Sequence, residues 1–164
     1  MAPWILTLAI LGLGVASCNR KPEARPGAAQ TAPEENLYPA DADARADIKA
    51  AEDRAAKEHK RVLLVFGANW CEDCHVLDRL FRSPDFAAAV SAYEIVHVDA
   101  GPDGKKNRDI ALGYQVRMGR GIPALAIIES DGRLVVSQGN GELENVRAVG
   151  PQAILEFLNK WKLT

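Results

Sequence analysis

Cysteine, methionine and aromatic side chains are scarce in this chain, and none of the common bulk signals for a partner is present. Three cysteines in 164 residues cannot build a network of structural disulfides. A formal net charge of −2 supplies no basic surface for nucleic acid. The longest apolar stretch, Trp4 to Ala16, is too short to cross a bilayer as a helix. What remains, 48% hydrophobic and 26% charged residues, suffices for one domain with a real core.

That apolar stretch has the length of a signal-peptide core and runs into Val15-Ala16-Ser17-Cys18. The quartet resembles the bacterial lipobox. Residues 1–17 are therefore expected to be a lipoprotein signal peptide, with Cys18 the lipidated N-terminus, although Met1-Ala2-Pro3 carries no Lys or Arg. From Asn19 to about Ala40, Pro22, Pro26, Pro33 and Pro39 are scattered among Ala, Glu, Gln and Gly. Such a composition buries too little to fold, so residues 18–40 read as the anchor and a disordered tether. By resemblance to lipoprotein sorting, Asn19 in place of Asp favours the outer membrane over the inner.

The globular part is expected over residues 41–164. Ala44, Ile48, Ala51 and Ala55 recur at helical spacing and predict an amphipathic helix over Asp41–Glu58. Val62–Phe66 is a continuous apolar run, the mark of a strand buried on both faces. A helix over Cys71–Phe81 follows, with Val76, Leu77, Leu80 and Phe81 on one face; Ser83-Pro84-Asp85 restarts it as cap, N1 proline and first-turn acid. Glu94–Asp99 alternates as a strand, and Asn107 is a candidate cap for a short helix. Ala124–Glu129 and Arg133–Ser137 flank Asp131-Gly132 as a hairpin. Gly150-Pro151 opens a last helix with Ile154, Leu155, Leu158 and Trp161 inward. The order α-β-α-β-α-β-β-α predicts an α/β fold, a mixed sheet covered by helices on both faces.

Cys71-Glu72-Asp73-Cys74 sits at the junction of that buried strand and its helix. A helix N-terminus offers unpaired N–H groups and partial positive charge, which favour a thiolate on the first cysteine. A thiolate that attacks a foreign disulfide, with a second thiol to release it, is the minimum for thiol–disulfide exchange. Glu72 and Asp73 oppose this stabilisation, which favours a reductant over an oxidant. Two alternatives share these residues. Cys71–His75 spells C-x-x-C-H, a c-type haem attachment pattern, with Met118 the only candidate axial methionine in the mature chain. Cys71, Cys74 and His75 also form a partial ligand set for copper or zinc, without a convincing fourth partner; His59 and His97 are distant in sequence.

The stretch Phe66-Gly67-Ala68-Asn69-Trp70-Cys71-Glu72-Asp73-Cys74 resembles the active-site segment of the thioredoxin superfamily, and Gly121-Ile122-Pro123 resembles its second signature. The Ser83-Pro84 restart and the extra N-terminal helix resemble the periplasmic branch, including the reductase domain of the transmembrane disulfide reductase. The resemblance implies a thioredoxin fold in which Cys71 attacks and Cys74 resolves. It implies that Pro123 is cis, that the Ile122 backbone pairs with an extended substrate segment, and that Trp70 shields the pair, with core packing as its other role. No cofactor or metal is implied. Partners would be disulfide-containing proteins and a membrane or periplasmic electron donor, the protein being a monomer held to the periplasmic face by its lipid. Two departures stand out. Val65 occupies the place of the family's buried Asp and Ile95 that of its Lys, leaving water or a nearby group such as His75, Glu72 or Asp73 to move the proton. Met118-Gly119-Arg120 is an insertion before Gly121, where Arg117 and Arg120 either solvate a loop or favour an acidic partner.

Overall fold

The computed structural model describes Met1, residues 36–138 and residues 140–163. The expected signal peptide, Cys18 and the tether as far as residue 35 lie outside the described residues. Helix α1 (Ala44–Glu58) starts three residues later than the sequence pattern suggests. The reason is the Asp43 carboxylate, which accepts from the Arg45 and Ala46 amides and caps the helix there. Strand β1 (Arg61–Gly67) is buried from Val62 onward and leads to α2 (Glu72–Phe81). A 3-10 turn (Pro84–Phe86) then continues into α3 (Ala87–Val90). Ser83 does not cap it through its side chain; its hydroxyl donates to the Leu80 carbonyl at 2.7 Å instead. After β2 (Tyr93–Asp99) comes α4 (Arg108–Gly113). Asn107 precedes α4 in a left-handed conformation, and its amide donates to the Asp99 carbonyl rather than capping the helix. Strands β3 (Ala124–Ile128) and β4 (Leu134–Ser137) form the expected hairpin. A short α5 (Val146–Val149), not foreseen, precedes α6 (Pro151–Trp161).

The sheet order is β2-β1-β3-β4, with β1 and β2 parallel and the other two pairs antiparallel. This is the mixed sheet the element order implied. Alternation along β1 sends Val62, Leu64 and Phe66 to one face, where they meet Ile48, Ala51 and Ala55 of α1 and Ile110 of α4. Leu63 and Val65 point to the other face, against Leu77 of α2 and Ile154 and Leu158 of α6. Leu155 and Trp161, also expected inward, are only half-buried at the edge of that cluster. Small residues on α1 let it lie close to the sheet, so its burial rests chiefly on Ile48. Truncating Ile48 to Ala would cost about 2–5 kcal/mol.

The folded body reaches further toward the N-terminus than residue 41. Tyr38 is 1% exposed and is the largest fully buried side chain among the described residues. Its amide donates to Asn69 Oδ1 at 3.1 Å, and Asn69 Nδ2 donates back to its carbonyl at 2.8 Å. Lys106 Nζ reaches the Ala40 carbonyl at 2.6 Å. Residues 36–40 are therefore a strap laid against the end of β1. The proline-rich composition hid it, although Leu37 and Tyr38 are the only large apolar residues between Asn19 and Ala40.

Candidate active site

β1 ends at Gly67, and a tight turn brings Cys71 to the N-cap of α2 with extended backbone angles. An N-cap side chain lies over the first amides of its helix. Here Cys71 Sγ accepts from the Cys74 amide at 3.2 Å. Cys71 and Cys74 are joined as a disulfide across a Cα–Cα distance of 5.3 Å. Of the two, Cys71 is the more accessible, 6% against 1%, as expected for a residue at the helix mouth and one a turn deeper.

The loop before β3 closes the site from the other side. The Ile122–Pro123 peptide bond is cis, and the Ile122 carbonyl oxygen lies 3.5 Å from Cys71 Sγ. Half-buried Ile122 packs against the cluster that Tyr38 forms with the two cysteines. Gly121 has φ +138° and the Glu144 Cβ against its backbone, 2.3 Å from where a side chain would begin, so only glycine fits. Residues 51 apart in sequence thus meet at the disulfide.

Trp70 stands differently from one part of its expectation. It is 58% exposed and has no place in the core; its indole N–H donates to the Gly101 carbonyl at 3.0 Å. That bond pins the ring on the surface next to Cys71, a flat apolar platform in water.

Charge around the pair is less lopsided than the sequence suggests. Glu72 is exposed, but Asp73 is bridged through both carboxylate oxygens to Arg147 at 3.2 Å. Arg147 belongs to the unforeseen α5, so its neutralising role had no local sequence signal. His75 turns away from the cysteines, its Nε2 2.7 Å from the Asn69 carbonyl oxygen. It therefore does not converge with Cys71 and Cys74 as a ligand set, and among the described residues no group of three His, Cys, Asp or Glu side chains is placed to hold a metal. Met118 is buried in the α1-face core with Ile110 and Val116, which removes the one methionine the haem reading had. Arg117 and Arg120 are exposed, at the start and end of a 3-10 turn formed by Met118–Arg120.

Behind the disulfide the family's buried acid is indeed missing. Val65 is 2% exposed in an apolar cluster, and half-buried Ile95 packs against the same cluster. Yet the layer is not wholly apolar. His97 faces Val65 across the β1–β2 pairing, and the Tyr38 ring meets it edge-on with centroids 5.4 Å apart. Burial holds the His97 imidazole below its ordinary titration range.

A model of a thioredoxin-like family matches residues 43–130, more than half of the chain and spanning the cysteine pair and Pro123. The chain belongs to the thioredoxin-like family. Among solved structures it is similar to a disulphide isomerase from Xylella fastidiosa Temecula1, at 36% identity and a TM-score of 0.69, covering 75% of this chain and 94% of that one. The C-terminal domain of DsbD from Neisseria meningitidis shares the fold at 24% identity and a TM-score of 0.51, over 71% of this chain and 94% of that one. The curated thiol:disulfide interchange protein DsbD 2 of Pseudomonas aeruginosa is 31% identical over 111 residues, which are 67% of this chain and 17% of that protein. The chain thus spans under a fifth of the length of the curated relatives it matches. Within this family fold, Cys71 and Cys74 stand at disulfide distance beside the cis Ile122–Pro123 bond.

Proposed function

We propose that this member of the family is an extracytoplasmic reductant that transfers two electrons from Cys71 and Cys74 to disulfides of partner proteins. The observation that carries this reading is the Cys71 sulfur at the N-cap of α2, 3.5 Å from the Ile122 carbonyl oxygen beside the cis-proline. In the reduced protein the Cys74 amide and the helix N-terminus favour the Cys71 thiolate. An extended partner segment pairs with the Ile122 backbone, beside Pro123 and under the Trp70 ring, which sets its disulfide in line with Cys71. Cys71 attacks, one partner sulfur leaves as a thiolate, and a mixed disulfide forms. Cys74 then attacks Cys71, the protein closes its own disulfide, and the partner departs with both electrons.

Exposed Glu72 supports the reducing direction, because a carboxylate beside Cys71 works against its thiolate and so against the reduced state. Arg147 offsets the contribution of Asp73, so the bias rests mainly on Glu72. Residues 1–17 act as the signal peptide in this reading. Cys18 carries the lipid that holds the protein at the periplasmic face, with the outer membrane favoured, and residues 19–35 form the tether. The Xylella disulphide isomerase and the DsbD relatives support an envelope setting. A membrane or periplasmic donor of electrons is then required to restore the dithiol, the protein acting as a monomer.

The test is the equilibrium reduction potential of the purified protein against a dithiothreitol or glutathione series. A value near the thioredoxin end, roughly −270 mV, is expected. One near roughly −120 mV would make the protein an oxidant. Absence of any two-electron transition would end the exchange reading altogether. Incorporation of labelled palmitate, lost in Cys18→Ala, tests the anchor separately.

A further inference from the structure

Tyr38 is a buried polar side chain that the exchange chemistry has not used. It is 1% exposed, and its hydroxyl has no hydrogen-bond partner among the described residues. Buried hydroxyls are nearly always paired, so an orphan calls for a reason. Its surroundings supply one. The ring packs in a cluster with Cys71, Cys74, Leu37 and Ile122. The hydroxyl and Cys74 Sγ converge on the bare Cα of Gly67: a Cβ built there would stand 2.3 Å from Tyr38 Oη and 2.8 Å from Cys74 Sγ. The Asn69 clamp on the Tyr38 backbone and the Lys106 bond to Ala40 fix the ring in this place.

A thiolate is a far stronger acceptor than a disulfide sulfur. On reduction, Cys74 must carry a proton or a negative charge one turn inside α2, with valine where the family keeps an acid. We propose that Tyr38 is a positioning residue for the resolving cysteine, its hydroxyl donating a hydrogen bond to Cys74 Sγ in the reduced and mixed-disulfide states. The Tyr38 hydroxyl has no partner among the described residues of the oxidised protein, and gains one when the sulfur becomes the stronger acceptor. This rests on the exchange reading above and names the group that serves Cys74 in place of the absent acid.

The phenol acts as a donor and not as a base. Burial raises its pKa far above neutrality, and the nearby Asp78 of α2 and Asp99 of β2 raise it further. The other groups facing this layer do not reverse that. Asp99 is paired with Lys106 at 3.0 Å and Asp78 with Arg82 at 2.8 Å, while burial disfavours a charged His97. In the resolving step Cys74 first yields its proton to water, stabilised as a thiolate by the Tyr38 O–H. The thiolate attacks Cys71 Sγ, the Cys71–Cys74 bond forms, and the bond from Cys71 to the partner sulfur breaks. The partner sulfur leaves with the electron pair and takes a proton from water; Tyr38 keeps its own throughout.

Tyr38→Phe in the full chain keeps the ring and removes only the donor. A mixed disulfide of Cys71 with thionitrobenzoate, followed by release of the coloured thiolate, reads the resolving step across pH. The expected result is release slowed about tenfold at pH 7, with the pH profile displaced to higher pH because Cys74 ionises less readily. The redox equilibrium should also shift about tenfold toward the disulfide, ~30 mV for a two-electron couple. An unchanged pH profile and equilibrium would overturn the proposal while leaving the exchange reading intact; a wild-type protein with no two-electron transition would remove both. If Tyr38→Phe does not fold, carbon-13 labelling at tyrosine Cζ of the wild type decides. The Tyr38 resonance should move on reduction and that of Tyr93, whose hydroxyl already donates to the Leu158 carbonyl at 2.7 Å, should stay. A Tyr38 resonance indifferent to reduction would overturn the assignment.

Discussion

The two ends of β1 treat polar groups in opposite ways. At the Arg61 end the guanidinium donates to Glu129 Oε1 from Nε and Nη2, at 3.1 and 2.7 Å, and to the Trp161 carbonyl at 2.6 Å. The neighbouring Tyr93 hydroxyl is likewise paired, with the Leu158 carbonyl. At the Gly67 end the Tyr38 hydroxyl has no partner among the described residues, the Trp70 ring stands in water and a helix N-terminus meets two sulfurs. One strand joins both ends, and its interior side chains are uniformly buried. The difference is one of purpose. Satisfied groups at the Arg61 end tie α6 and β3 to the sheet in a single state. Unspent bonding capacity at the Gly67 end is what a site needs if its sulfurs alternate between two states.

The contrast breaks most completely at the sulfurs. Cys71→Ser should abolish exchange, and Cys74→Ser should accumulate a mixed disulfide visible on non-reducing gels. If Cys74→Ser trapped nothing from an envelope extract while exchange persisted, the two roles assigned here would be wrong. Next in size is Gly67→Ala, whose methyl would collide with both Tyr38 Oη and Cys74 Sγ. It should cost about 1–3 kcal/mol by urea denaturation and displace the redox equilibrium as well. Arg61→Met sharpens the comparison from the far end. It should cost about 1–2 kcal/mol by removing charge-assisted bonds, yet leave the reduction potential where it was. A shifted potential in that variant would mean the two ends are coupled through β1.

The smallest effect concerns pH. His97 titrates below its ordinary value of 6.5 in the folded protein because burial disfavours the imidazolium. The unfolded chain then binds the extra proton first, so stability present above about pH 6.5 declines as pH falls toward the folded value. Urea midpoints measured from pH 8 to pH 5 should show this decline, by under about 1 kcal/mol, and His97→Gln should flatten it. An identical slope in the variant would place the acid sensitivity elsewhere.

Much of the fold was legible in local pattern. The helical spacing of Ala44, Ile48, Ala51 and Ala55 found a buried face, and the run Val62–Phe66 found the central strand, because periodicity reports burial directly. Asp131-Gly132 marked the hairpin for the same local reason. Caps were less secure. Ser83 and Asn107 carry cap-forming side chains, yet each found a backbone carbonyl closer at hand, and only the folded geometry ranks such competitors. α5 was missed because four residues make too short a pattern to stand out.

The sequence by itself determined the chemistry: two cysteines three apart at a strand-to-helix junction, a distant Ile122-Pro123, and valine at Val65 where the family keeps an acid. Residue identity and spacing suffice for these, since reactivity at a helix N-terminus depends on local geometry. Tertiary structure alone decided what surrounds the pair. It drew Tyr38 out of an apparent tether and set its hydroxyl beside Cys74, brought Arg147 from α5 to Asp73, and left Trp70 in solvent. Those contacts join residues 31 to 74 positions apart in sequence, and no local period encodes them. They arise where elements with separate local causes pack against one another at the end of the same strand.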